Sequence, residues 1–103
     1  MEFIETPIFT QLITALLSDE EYSRLQQLLI DNPERGDLLR GGGGIRKMRY
    51  GRQGTGKRGG IRVIYYWISQ DCQIYMLAAY AKSKKINLTP DEIAALRELV
   101  KEL

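Results

Sequence analysis

The run Ile61–Ile68 is the strongest constraint on how this chain can fold, because β-branched and aromatic side chains fill most of its eight positions. Such a run predicts a strand. Basic and apolar residues alternate before it over residues 45–50, and a further apolar run covers residues 73–80 after the short turn Ser69–Asp71. Consecutive strand patterns joined by tight links predict an antiparallel three-strand meander.

Helical patterns lie on both sides of this meander. Thr6 followed by Pro7 predicts an N-cap and a first helical position, with apolar residues recurring at helical spacing behind them. The segments 18–21 and 89–92 have the form of capping boxes and predict the starts of a second helix and a last helix. The second helix is predicted to end near Asn32.

Residues 1–5 alternate weakly between polar and apolar types, which predicts a short first strand. The sequence therefore predicts one α+β domain spanning residues 1–103. In it an antiparallel sheet, made of the short N-terminal strand and the meander, packs against two N-terminal helices, and a C-terminal helix follows. The single cysteine, Cys72, excludes an internal disulfide and is expected to be a buried or half-buried apolar side chain.

The basic residues are distributed unevenly along the chain. Eleven of the 15 lysines and arginines lie between Arg40 and Pro90, where Asp71 is the single acid, although the net charge of the whole protein is only +2. A segment this basic predicts a polyanionic partner. The chain contains no apolar run long enough for a membrane span and no basic start typical of a secretory signal, so we expect a cytoplasmic protein.

Two glycine motifs resemble nucleotide-binding patterns but lack the necessary context. In the segment 51–58, Arg58 stands where a phosphate-binding loop needs a hydroxyl residue, and a strand pattern follows where that motif needs a helix. The segment 54–59 matches the dinucleotide fingerprint by letter, yet no βαβ unit surrounds it. A basic hairpin loop is the simpler interpretation, and no cofactor is expected.

Lys47 and Arg49 are two residues apart on one predicted strand and so project from the same face, beside Arg62 on the next strand. Three cations on one sheet face repel each other unless an anion is present. A solvated face that discourages edge aggregation is one interpretation. Binding of RNA is the more specific interpretation, because tyrosines and a tryptophan lie between the basic residues and offer surfaces on which unpaired bases can stack.

Three stretches together resemble the HigB branch of the RelE-like toxins: residues 43–49 (GGIRKMR), 54–66 (GTGKRGGIRVIYY) and 80–84 (YAKSK). The resemblance covers nearly the whole chain, and the second stretch is its most specific part. It implies a RelE-like microbial ribonuclease-type fold and the toxin of a type II toxin–antitoxin system. Such a toxin is an endoribonuclease that enters the ribosomal A site and cuts messenger RNA by attack of the 2′-hydroxyl, without a metal ion. The implied partners are a cognate antitoxin, the ribosome and mRNA.

The absence of histidine is compatible with this chemistry, because the chain can neither run a His–His acid–base cleavage nor offer imidazole to zinc. The resemblance assigns the scissile phosphate to Arg62, whose planar guanidinium suits a phosphorane. It gives Lys47 and Arg49 roles in orienting RNA, supporting the transition state or moving a proton. Lys82 and Tyr80 are candidate donors to the leaving oxygen.

Four further cations, not assigned to the chemistry, are predicted to hold the backbone of the RNA or of ribosomal RNA: Arg46, Lys57, Arg58 and Lys84. Two other functions stay open at this point. A non-catalytic RNA- or ribosome-binding module would keep the same basic face. A subunit that binds an acidic protein would also account for the charge.

Overall fold

The computed structural model describes residues 1–51, 60–84 and 87–103. The chain contains both helices and a sheet, which confirms the predicted α+β class. In chain order the elements are β1 (Glu2–Glu5), α1 (Pro7–Leu16), α2 (Asp19–Asp31), β2 (Asp37–Leu38), β3 (Arg46–Tyr50), β4 (Ile61–Ile68), a short 3-10 helix (Ser69–Asp71), β5 (Gln73–Ala81) and α3 (Pro90–Val100).

The predicted helix starts are confirmed by their capping contacts. The hydroxyl of Thr6 accepts a hydrogen bond from the backbone N–H of Phe9, and Pro7 occupies the first helical position of α1. At the start of α2, the Ser18 hydroxyl and the Glu21 carboxylate each accept from the other residue's backbone N–H. The same reciprocal pair opens α3. These contacts satisfy amides that the helices leave without intrahelical partners.

The five strands form one sheet in the order β1-β5-β4-β3-β2. The antiparallel meander β3-β4-β5 is as predicted. Two details differ from the expectation. The pairing of β1 with β5 is parallel, which the weak alternation of four residues could not indicate. The edge strand β2 has only two residues and is therefore too short to produce a period in the sequence.

The sheet has a core on each face. On the first face, α1 and α2 cover buried residues of the meander, and the fully buried side chains there include Phe9, Leu25 and Leu29. On the second face, α3 covers only part of the sheet through a smaller cluster that contains Ile45, Ile64, Leu77 and Val100. The rest of the second face is left open, and this is where Lys47 and Arg49 of β3 and Arg62 of β4 project.

Cys72 differs from the sequence expectation. It is exposed rather than buried, and its backbone has a φ of 52° at the end of the 3-10 helix. The residue therefore completes the turn between β4 and β5, and it contributes no side chain to either core.

Tyr65 ties the segment after α2 to the middle of the sheet. Its ring is fully buried, and its hydroxyl donates to the carbonyl oxygen of Pro33 (2.7 Å) while accepting from the backbone N–H of Gly36 (2.8 Å). A side chain at Gly36 would meet the Tyr65 ring and the Lys47 carbonyl at 3.0 Å. Glycine thus allows the close approach that brings β2 to the edge of the sheet.

Replacing Tyr65 with phenylalanine is expected to lower the free energy of unfolding by about 1–3 kcal/mol, because the buried amide of Gly36 loses its acceptor. Denaturant unfolding followed by circular dichroism measures the change. Tyr75→Phe is the matched control, because the Tyr75 hydroxyl makes no hydrogen bond within the described ranges. Equal stabilities of the two variants would contradict the structural role given to the Tyr65 hydroxyl.

Stability is also expected to fall in alkaline solution. Burial, together with a 2.7 Å hydrogen bond to Glu5 and the charge of that carboxylate, raises the pKa of Tyr22 above its ordinary value. Above about pH 10 the unfolded chain releases this phenolic proton while the folded chain keeps it, so the free energy of unfolding decreases as pH rises. For one phenol the free energy of unfolding decreases by up to about 1.4 kcal/mol per pH unit, and solvent screening makes the decrease smaller here.

The measurement is denaturant unfolding between pH 9 and pH 11, at roughly the ordinary tyrosine pKa. Tyr22→Phe should show a shallower loss of stability with pH than the wild type. A slope unchanged by the substitution would mean that Tyr22 releases its proton equally in both states.

Candidate functional site

A pocket of about 580 Å³ opens on the uncovered part of the second sheet face. Cationic side chains dominate its described lining, and a single carboxylate accompanies them. The lining residues are Arg35, Asp37, Lys47, Met48, Arg49, Arg62, Lys82 and Asn87. A concavity with this excess of positive charge concentrates anions from solution.

Strand register explains why the central cations meet. Arg49 lies directly opposite Arg62 in the β3–β4 pair, and Lys47 is two residues before Arg49 on the same face. Lys82 follows the last residue of β5, and its backbone N–H donates to the carbonyl of Gly60, next to the start of β4. The structure therefore brings together four residues that the sequence analysis grouped as catalytic candidates, at the ends of three adjacent strands.

Arg62 is the most buried of these cations, with 7% of its surface exposed. Within the described ranges it has no carboxylate partner. A smaller hollow of about 160 Å³, also lined by Arg49 and Lys82, opens onto the same side chain. Burial of a charge without a counter-charge is unfavourable. Binding of an anion to Arg62 at the floor of the pocket is therefore expected to be favourable.

Tyr80 lies directly opposite Arg62 on β5 but does not line the main pocket. Its hydroxyl is buried and has no hydrogen-bond partner among the described residues. Burial raises the pKa of Tyr80, the Arg62 charge opposes that rise, and the Glu92 carboxylate adds to it. The phenol is therefore protonated near neutral pH and has a hydrogen-bond donor to offer beside the arginine.

Other predicted contact residues lie away from the pocket. Arg46 projects from the first sheet face, where its guanidinium donates to the carbonyl of Gly36 (2.8 Å) and lies 3.4 Å from the Glu34 carboxylate. Lys84 is exposed and lines a separate groove beside α1. Lys57 and Arg58 are outside the described residues. The geometry thus separates Arg46 and Lys84 from the catalytic candidates.

Three polar pocket residues escaped the sequence analysis: Arg35, Asp37 and Asn87. Arg35 and Asp37 flank the glycine held by Tyr65, and that anchor places them at the rim of the pocket. Asn87 accepts a hydrogen bond from the Lys47 ammonium at 3.1 Å. The only signal in the sequence for Arg35 and Asp37 is their position on either side of Gly36. The sequence has no signal for Asn87, because its contact with Lys47 joins residues 40 positions apart and leaves no local pattern.

Arg62→Met is expected to raise the free energy of unfolding by about 1 kcal/mol or more, because the change removes an uncompensated buried charge while keeping a long side chain. Denaturant unfolding at low ionic strength tests this. Arg24→Met, at an exposed position on α2 with an i,i+4 ion pair to Glu20, should change stability by no more than about 0.5 kcal/mol. A less stable Arg62→Met protein would show that the guanidinium is already compensated in the free protein.

No cluster of three or more His, Cys, Asp or Glu side chains in the described ranges has the arrangement to hold a metal ion. The helices of the same ranges are too short or too polar for a membrane crossing.

Comparison with known proteins identifies the fold and the family of this chain. The structure of a double arginine-to-alanine mutant of E. coli toxin RelE in the free state superimposes with a TM-score of 0.54, over 99% of this chain and 96% of that one. The two sequences are 15% identical, so this match establishes a shared fold. The sequence of residues 15–103 also matches the family described as the RelE toxin of the RelE/RelB toxin–antitoxin system, without distinguishing a HigB branch. The chain therefore belongs to the RelE toxin family.

Proposed function

We propose that this toxin is a ribosome-dependent endoribonuclease that cuts mRNA in the A site through attack of the ribose 2′-hydroxyl. The observation that carries the proposal is Arg62, a nearly buried cation without a carboxylate partner in the described ranges, at the floor of a strongly basic pocket. An unpaired, partly desolvated guanidinium is suited to a phosphate group, because it offers two parallel N–H donors to two oxygens.

The surroundings of Arg62 favour a phosphodiester over a small anion. Lys47 and Arg49 on β3 and Lys82 after β5 extend the positive charge to both sides of Arg62, and the pocket volume lies in the range of ordinary ligand sites. Arg35 continues the charge toward the β2 edge. A chain of phosphates passing over this surface meets several cations in succession, which is the arrangement that single-stranded RNA requires.

In the proposed reaction the 2′-oxygen of one ribose forms a bond to the adjacent phosphorus, and the bond from phosphorus to the 5′-oxygen of the next nucleotide breaks. The products are a cyclic phosphate and a free 5′-hydroxyl. Arg62 binds the phosphoryl oxygens and stabilises the negative charge that increases on them. Lys47 and Arg49 hold the flanking phosphate and support the same charge.

The leaving 5′-oxygen needs a proton, and Lys82 is the proposed donor because its side chain lines the pocket. Tyr80 lies beside Arg62 on the neighbouring strand, behind the pocket lining. We propose that Tyr80 supports Arg62 rather than donating a proton, because its hydroxyl is buried and has no described hydrogen-bond partner. Arg46, Lys57, Arg58 and Lys84 are proposed to contact RNA or ribosomal RNA outside the reacting phosphate, although Arg46 already has protein partners.

The proposed partners are a cognate antitoxin protein, the ribosome and mRNA, and the proposed location is the cytoplasm, where translation takes place. The family description names a toxin–antitoxin system, which supports the first of these. An acidic segment of the antitoxin would neutralise the toxin most simply by occupying the basic pocket.

The test is cleavage of an mRNA on programmed ribosomes by the purified toxin, with primer extension to map the cut. Arg62→Ala should lower the cleavage rate by about 100-fold or more, because a donor to the transition-state charge is lost. Arg62→Lys should recover only part of the activity, since an ammonium cannot form the bidentate contact. Arg24→Ala is the control and should cut as the wild type does.

Omission of ribosomes from the same assay tests the ribosome requirement. Stalled translation without any cleaved message would instead identify a non-catalytic ribosome-binding module. Wild-type activity in Arg62→Ala would contradict the assignment of the scissile phosphate to this residue. Growth arrest on expression in bacterial cells, abolished by Arg62→Ala, is the expected cellular result.

A further inference from the structure

The pocket contains a carboxylate where a site for an anion would be expected to avoid one. Asp37 is the only acid among the described lining residues, which include five cations. It lies on β2 with its Cα paired to that of Lys47 on β3. Directly opposed residues of an antiparallel pair share a face, so the carboxylate and the ammonium are on the same side of the sheet.

Asp37 is not used to neutralise its neighbours. Within the described ranges its carboxylate forms neither a hydrogen bond nor an ion pair, and the Lys47 ammonium donates to Asn87 instead. Asp37 is exposed at the pocket rim. A carboxylate in this position weakens the attraction of the pocket for phosphate, and nothing in the protein's own packing compensates for that loss.

The backbone around Asp37 is held in place from both sides. The Gly36 N–H donates to the buried Tyr65 hydroxyl, and the Leu39 N–H donates to the carbonyl of Ile45. The carboxylate therefore projects from a fixed edge of the sheet. A fixed backbone limits the positions that the carboxylate can reach, which favours its meeting one particular atom of a bound substrate.

We infer that Asp37 accepts the proton of the attacking 2′-hydroxyl, an inference that rests on the proposed ribonuclease function. The O–H bond of the 2′-hydroxyl breaks and its proton passes to the carboxylate oxygen. The electron pair of that bond forms the new bond from the 2′-oxygen to phosphorus. The 5′-oxygen leaves with the electrons of its bond to phosphorus and takes a proton from the Lys82 ammonium, so charge and protons balance.

The other described pocket groups are less suited to this step. Lysine and arginine side chains are protonated at neutral pH and have no lone pair to offer. The amide oxygen of Asn87 is neutral and already accepts from Lys47. A carboxylate is ionised at neutral pH and is an acceptor only, which is what proton abstraction requires.

The decisive variant is Asp37→Asn, which keeps the shape of the side chain and removes its charge and basicity. Two quantities are measured: the cleavage rate on programmed ribosomes, and the affinity for an RNA oligonucleotide with a single 2′-deoxy residue at the cut site. The rate should fall by about 100-fold or more. The affinity for the uncleavable oligonucleotide should stay the same or increase, because a negative charge has left a phosphate site.

Asp71→Asn is the matched control, since it makes the same change of charge at an exposed turn at the other end of β4 from Arg62. It should leave both quantities unchanged. Denaturant unfolding of Asp37→Asn is expected to match the wild type, because the side chain is exposed and without described partners.

Cleavage by Asp37→Asn at the wild-type rate or faster would overturn the inference and leave the proposed function standing. Weaker binding of the 2′-deoxy oligonucleotide by Asp37→Asn, in step with the lost rate, would also overturn it, since Asp37 would then serve binding alone. If the wild type cleaves no RNA, the proposed function fails. In that case binding still tests the contact between Asp37 and the 2′-hydroxyl. The wild type should bind an all-ribose oligonucleotide more tightly than the 2′-deoxy one, and Asp37→Asn should bind both equally. If Asp37→Asn keeps the preference, the contact is overturned as well.

Discussion

The hydroxyl of Tyr65 is the contact on which the arrangement of this protein depends most. It binds a carbonyl and an amide of the chain segment between α2 and β2, from inside the first core. That segment has no regular structure of its own, and Arg46 on β3 also holds it through the carbonyls of Glu34 and Gly36. Tyr65 and Arg62 both belong to β4. The strand that places Arg62 on the second face therefore also fixes the edge of the sheet where Arg35 and Asp37 lie.

The two sheet faces are used for different purposes. The first is covered by α1 and α2 over a continuous apolar core, which supplies most of the burial that holds the fold. The second is covered by α3 only in part, so strand alternation places cations in the uncovered region. The stability gained by packing on the first face thus offsets the repulsion between the cations of the pocket on the second face. The pocket does not need loops to position its central cations, because Lys47, Arg49 and Arg62 are all on strands.

Much of the fold could be predicted from the sequence because its signals are local. Capping boxes, proline at the first helical position and the period of the strands each involve residues within a few positions of one another. The same alternation predicts that Lys47, Arg49 and Arg62 share a face. It also places Arg46 on the opposite face from these three. The contributions of Asp37 and Asn87 could not be predicted, because they depend on the Tyr65 anchor and on a contact with Lys47 from distant parts of the chain.

Charge segregation along the sequence becomes charge segregation in space only through this topology. Three of the four acids of α2 and two of the three acids of α3 occupy the first turn of their helix, where negative charge interacts favourably with the helix dipole. Most acids of these two helices are therefore placed where they stabilise the helix, and the strands of the meander contain none. Asp37 is the exception, since β2 brings it to the edge of the basic strands. An acid that joins five cations without pairing with any described neighbour reduces anion affinity, which is why we infer a task for it in the proposed reaction.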